Sequence, residues 1–216
     1  LNYSDHAKET GAEPPSEPIV FMKATSSICG PNDDIEISKD SKKLDWEVEL
    51  GLVIGKNLKN ITEEEAPDHI LGYCLVNDIS EREWQIEKMG QWVKGKSHDT
   101  YGPTGPYLVT KDEIKDINNL KMMLDVNGER MQTGNTSTMI FNVDIIVSYV
   151  SKFMSLQPGD IITTGTPPGV VNLLSGDPAE IASELISSDI TKKVSITGST
   201  RVGKIILKQA ADKVQR

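Results

Sequence analysis

The chain has 216 residues, 37% of them hydrophobic, enough for one well-buried core plus an appendage and too ordinary a mixture for a disordered or fibrous protein. Its 23 basic against 32 acidic residues give a net charge of −9, which argues against nucleic acid and anionic membrane as partners and leaves an anionic substrate to be drawn by local positive charge. Two cysteines in no ligand or disulfide pattern, no signal-like opening, and no apolar run of roughly 18 residues lead us to expect a reduced, cytoplasmic protein.

In chain order, Ser4 can cap a short helix that Gly11 ends, which sets His6 and Glu9 on one face at i, i+3. A carboxylate beside an imidazole orients it and raises its basicity, as a general base acting on water requires. After a Pro-rich connector, residues 19–23 read as a strand ending in the cation Lys23. Residues 45–55 alternate: Trp46, Val48, Leu50, Leu52 and Ile54 share one parity, and Glu47 and Glu49 share the other, the period of a half-buried strand. The two carboxylates therefore point the same way from Cα atoms about 6.8 Å apart, within reach of one cation. Thr62 and Glu65 have capping-box spacing for a short helix. The apolar run 70–76 then ends at Asp78, a third carboxylate. Three oxygen ligands with no Cys or His pattern favour Mg²⁺ or Mn²⁺, with Ca²⁺ as a further option.

Residues 81–89 have a helical pattern, with Trp84 and Ile86 supplying apolar surface and Arg82 and Gln85 spaced i, i+3. The long loop 90–106 carries Lys96 and His98; loops of that length are more often functional than idle, although His98 reads as exposed. Residues 121–132 are a hairpin around Asn127-Gly128, suited to a type I′ turn. Val143, Ile146, Tyr149, Val150 and Phe153 recur at helical spacing and make a core face. A strand at 161–164 leads to the turn 165–169, where the Thr166 hydroxyl and backbone N–H are candidates to touch a bound carboxylate.

Four stretches in order, Asp-Trp-Glu-Val-Glu-Leu-Gly-Leu-Val-Ile-Gly, Gly-Tyr-Cys-Leu-Val-Asn-Asp-Ile-Ser-Glu-Arg, Gly-Lys-Ser-His-Asp-Thr-Tyr-Gly-Pro-Thr-Gly-Pro and Gly-Thr-Pro-Pro-Gly-Val, resemble the fumarylacetoacetate hydrolase family over residues 1–171. The resemblance implies an α+β fold, a mixed β-sheet roll, normally dimeric. It implies metal ligation by Glu47, Glu49 and Asp78, a water-activating dyad of His6 and Glu9 on a lid segment, Lys96 reaching the metal site, and Lys23, Arg82, Gln85 and Thr166 as substrate-binding residues. The implied activity is metal-dependent hydrolysis of a C–C bond in a 2,4-diketo acid, an acylpyruvate or a 2,4-diketo-3-deoxy sugar acid. Ureidoglycolate lyase, oxaloacetate decarboxylase or isomerase chemistry uses much the same site, and these stay open. The expected partners are a small 2-oxo acid and a second copy of the chain.

Past residue 171 the pattern changes. Lys-Lys-Val-Ser-Ile-Thr-Gly-Ser-Thr-Arg-Val-Gly-Lys (192–204) resembles the NAD-binding strand-turn-helix of aldehyde dehydrogenases. A dinucleotide site needs neighbouring parallel strands that such a fragment does not supply. We therefore expect residues 1–171 to form a truncated catalytic domain, the roll incomplete at both ends, and residues 172–216 to be a fragment that is no independent domain, so that an inactive chimeric chain remains an alternative.

Overall fold

Alternation of Val48, Leu50, Leu52 and Ile54 with smaller or charged residues makes the strand Val48–Ile54 the centre of the protein, and its two faces serve different ends. The structure is a computed structural model, and it describes residues 1–169. The elements in order are α1 (Ser4–Thr10), β1 (Ile28–Cys29), β2 (Leu44–Asp45), β3 (Val48–Ile54), α2 (Ala66–His69), β4 (Ile70–Asn77), β5 (Ser80–Glu81), α3 (Val93–Lys96), β6 (Gly102–Pro103), β7 (Val109–Thr110), β8 (Lys121–Val126), β9 (Glu129–Asn135), α4 (Val143–Ser151) and β10 (Ile161–Thr163). The main sheet is antiparallel with order β10-β3-β4-β7, and three two-stranded pairs, β1-β6, β2-β5 and β8-β9, surround it.

Residues opposite one another in an antiparallel pair share a face. Leu50, Leu52 and Tyr73 (opposite Leu52) therefore look toward the main core, which also holds Val143, Ile146, Val147 and Val150 of α4, whereas Leu75, opposite Leu50, is exposed. Asn142 caps α4 by accepting the Ile145 N–H at 2.9 Å. On the other face lie Glu49, Gly51 and the small cluster of Val53, Cys74 and Val76. Gly51 leaves room there: a Cβ would sit 2.8 Å from the Cys74 sulfur. All seven residues of β3 are buried, so the expected half-buried strand is buried on both faces.

The hairpin and its turn are as read: Asn127 (φ 53°) and Gly128 (φ 85°) both take the left-handed conformation that a type I′ turn needs. Thr62 donates its N–H to Glu65 at 2.9 Å, although the helix begins only at Ala66. Five expectations fail. Ser4 is the first residue of α1 and not its cap; Tyr3 holds the N-cap position with no side-chain bond. Residues 19–23 form no strand; Ile19, Val20 and Met22 are exposed, and among the described residues no strand pairs with them. The helical segment of 81–89 is a single wide turn, Glu83–Glu87, and Ile86 points to solvent. Phe153 lies beyond the end of α4 and is exposed, edge-on to Tyr149, while Val147 takes the core position. His98 is half-buried rather than exposed, stacked on Tyr101 with ring centres 4.8 Å apart.

Candidate metal centre and its surroundings

Glu47 sits just before β3, with its backbone N–H held by the Asn77 side chain at 3.1 Å, and Glu49 lies one pleat further along. Asp78 follows the last residue of β4, where its N–H bonds the Glu47 carbonyl at 2.8 Å. The strand pairing thus brings the three carboxylates together: one oxygen of each lies within 4.8 Å of the others, and all three residues are buried.

The cluster is partly neutralised from within. Lys96, itself buried at the end of α3, donates to Glu47 and, at 2.7 Å, to Asp78. Lys23 donates to the other Asp78 oxygen at 2.6 Å, to the Ile79 carbonyl at 3.2 Å and to the Lys96 carbonyl. Arg82 is a fork. It bonds Asp45 through Nε (2.8 Å) and Nη2 (2.6 Å), Glu47 through Nη2 (2.6 Å) and the Gln85 amide oxygen through Nη1 (2.8 Å). Glu49 differs from its neighbours. It accepts the Gly165 N–H at 3.0 Å and a hydrogen bond from the Thr163 side chain, and no cationic side chain pairs with it among the described residues.

The electrostatics follow this asymmetry. Burial raises the Glu47 carboxyl, but Lys96 and Arg82 outweigh it and hold the group at about 2. Burial, reinforced by the charges of Asp78 and Glu47, pushes Glu49 up to about 8. Burial also works against the Lys96 ammonium, yet Glu47 and Asp78 prevail and keep its proton on more firmly than usual. For Lys23 burial wins over Asp78, and the group falls below the ordinary lysine value. A buried, uncompensated carboxylate beside two others fits a hard divalent cation, and an all-oxygen donor set suits Mg²⁺, Mn²⁺ or Ca²⁺.

Of the other expected site residues, Lys23, Lys96, Arg82 and Gln85 join Glu47 and Asp78 in one hydrogen-bonded network. His6 and Glu9 form their own pair on α1, Nδ1 to Oε2 at 3.0 Å, with His6 buried and Glu9 reaching toward solvent. The pair is tied to the turn after β10, since Glu9 accepts the Gly169 N–H, and the same turn supplies Gly165 to Glu49. Of the two Thr166 groups expected to meet a carboxylate, the hydroxyl is engaged within the protein: it donates to the Val48 carbonyl at 2.9 Å and accepts from Gln132 at 2.8 Å. A hydroxyl has one proton to give, so it has none left for a substrate carboxylate.

Three contributors escaped the sequence reading. Asp45 anchors the Arg82 fork; its place at the head of the Asp-Trp-Glu-Val-Glu stretch was the available signal. Gln132, fully buried in β9, accepts the Val48 N–H and donates to Thr166 and the Pro167 carbonyl, binding hairpin, strand and turn together. Asn2 uses its whole amide, donating to the Phe141 and Thr164 carbonyls and accepting the Phe141 N–H, which docks the N-terminal segment beside the turn.

Comparison with known proteins identifies the family. The family described as Fumarylacetoacetate (FAA) hydrolase C-terminal matches residues 1–201. A Burkholderia ambifaria protein named "Putative hydrolase" is 62% identical over 170 residues, covering 79% of this chain and 60% of that protein, so the chain spans about 60% of the length of such curated relatives. The crystal structure of 5-carboxymethyl-2-hydroxymuconate delta-isomerase from Mycobacterium smegmatis superposes with a TM-score of 0.72 at 39% identity, over 79% of this chain and 66% of that one. Fumarylacetoacetate hydrolase from Exiguobacterium antarcticum gives 0.72 at 42% identity, over 78% and 61%. The family match runs past residue 171, and the aldehyde dehydrogenase resemblance of residues 172–216 lies outside the described residues.

Proposed function

This chain belongs to the fumarylacetoacetate hydrolase family, with its α+β mixed-sheet fold, and from that premise we propose that it is a divalent-metal-dependent hydrolase cleaving a C–C bond of a 2,4-diketo acid. The observation that carries the reading is the convergence of Glu47, Glu49 and Asp78, with Glu49 buried and without a cationic partner among the described residues. A divalent ion bound there supplies Lewis-acid polarisation of a chelating 2-oxo acid and a template for its orientation.

The chain's own groups would do the rest. Glu9 holds His6 by Nδ1, leaving Nε2 to take a proton from water, whose oxygen adds to the distal carbonyl carbon. The bond from that carbon to the methylene breaks, and the electron pair passes to the pyruvate end as an enolate, to be stabilised by the Lys96 ammonium and then protonated on carbon. Gln85, buried with its oxygen committed to Arg82, keeps its amide N–H groups for the substrate. The products are a carboxylic acid and a 2-oxo acid. Resemblance to a protein named as an isomerase favours proton transfer without water addition as the second reading.

Acetylpyruvate turnover with Mg²⁺ or Mn²⁺ tests the proposal, and His6→Ala should lower kcat by about 10² with a smaller change in metal affinity. Turnover unaffected by His6→Ala would remove the dyad from the mechanism. We further propose a homodimer, supported by Leu71 and Leu75 exposed on β4 and checked by light scattering. No helix among the described residues is long and apolar enough to cross a membrane.

A further inference from the structure

The chemistry above leaves two aromatic side chains beside the triad without a task. The Phe21 and Trp92 rings lie 5.3 Å apart at an angle of 51°, and the Lys96 ammonium sits over the Phe21 ring, 4.9 Å from its centre. Because the same ammonium bonds Asp78 and Glu47, the Phe21 ring stands within a side chain's length of the carboxylates. Both rings stay half-open to solvent, so they serve no core. Phe21 is nonetheless pinned. Two residues on, Lys23 is bonded to Asp78 and Ile79, and the Ala24 N–H donates to Ser97 at 2.8 Å, which fixes a segment that has no sheet partner.

The charges around the pair point to what it receives. The face of an aromatic ring carries partial negative charge; it attracts the Lys96 cation and disfavours a carboxylate. Lys23, Lys96 and Arg82 are each already bonded to a protein carboxylate. A divalent ion among Glu47, Glu49 and Asp78 would displace Lys96 first, since Lys96 bonds two of the three, leaving its charge for one substrate carboxylate while Arg82 stays on Asp45 and Lys23 keeps the Ile79 and Lys96 carbonyls. Resting on the 2-oxo acid reading, we infer that Phe21 and Trp92 are specificity-determining residues that receive the distal end of the substrate, and that this end is uncharged: the chain takes monocarboxylic 2-oxo acids in preference to dicarboxylic ones.

Three 2-oxo acids that share one head and differ in the tail test this by calorimetry on the full chain with Mg²⁺: pyruvate, 4-phenyl-2-oxobutanoate and 2-oxoglutarate. The phenyl-tailed acid is expected to bind about tenfold more tightly than pyruvate, the scale of one added ring contact, and 2-oxoglutarate no more tightly than pyruvate. Phe21→Ala and Trp92→Ala should erase the phenyl advantage while leaving pyruvate within about twofold, and Trp92→Phe should keep it. Tightest binding of 2-oxoglutarate, or a phenyl advantage that survives both alanine variants, would overturn the inference. Binding of pyruvate with no discrimination among tails defeats it while the 2-oxo acid reading stands; failure of all three acids to bind defeats both.

Discussion

Gly169 gives its backbone N–H to both carboxylate oxygens of Glu9, at 3.0 and 3.2 Å, and so joins the first helix to the turn that also holds Glu49. Only glycine fits there. Its φ is +103°, and a Cβ would lie 1.9 Å from the Met131 carbonyl oxygen. Gly169→Ala should therefore lower stability by at least about 2 kcal/mol in urea denaturation. Gly159→Ala, at φ +95° with nothing within 4 Å, should show only the conformational part, about 1 kcal/mol. Equal losses at the two sites would mean that the backbone near Met131 yields freely.

The triad makes a prediction about heat. Mg²⁺ or Mn²⁺ at 100 times its Kd should stabilise the folded chain by about 2.7 kcal/mol, read as a rise in Tm. Glu49→Gln keeps an acceptor for the Gly165 N–H but removes the charge, so the metal-free Tm should hold or rise while the metal-induced shift disappears. A full shift in the variant would show that Glu49 is no ligand.

Metal binding should also depend on pH. Glu49, raised to about 8 by burial and by Asp78 and Glu47, has to lose its proton before it can ligate. Mg²⁺ affinity is then expected to climb about tenfold per pH unit from 6 toward 8 and to level off above, with close to one proton released. The metal-free protein should behave in the opposite way. Between the ordinary glutamate value and about 8 the folded state binds more protons than the unfolded one, so stability falls as pH rises. Calorimetry in two buffers of different ionisation enthalpy, with urea midpoints at matched pH, checks both signs.

Arg82 holds Asp45, Glu47 and Gln85 by three different nitrogens, a geometry that a lysine cannot copy. Arg82→Lys should cost about 2–3 kcal/mol, since it leaves buried carboxylate oxygens short of donors. An unchanged urea midpoint would mean that water replaces the fork at no penalty.

How much of this was visible beforehand followed sequence distance. The convergence of Glu47 and Glu49, the Asn127-Gly128 turn and the His6–Glu9 pair are consequences of strand, turn and helix periods, so neighbours in sequence determine them. The Asp45–Arg82 and Gln132–Thr166 contacts bridge 37 and 34 residues, and nothing local announces them. Residues 19–23 misled for the complementary reason: apolar, β-branched residues favour a strand only where another strand waits to pair, and here the chain runs past the site in the open. The bond from the Thr166 hydroxyl to the Val48 carbonyl spans 118 residues, and nothing near Thr166 in sequence announces it.

Lys96 lies between Glu47 and Asp78 as a cation that the chain carries with it. Tethering makes it a resident competitor, present at an effective concentration set by the backbone and not by the solution. Sodium or potassium would have to evict an ammonium of equal charge that is already held in place, and gain nothing in Coulomb energy by doing so; a divalent ion gains a second charge against the same three oxygens. The lysine thus sets a threshold. On the proposed metal reading, the centre would stay shut below some concentration of divalent ion, with Glu47 and Asp78 satisfied, and above it the ion would displace a positive charge toward the side where Phe21 waits.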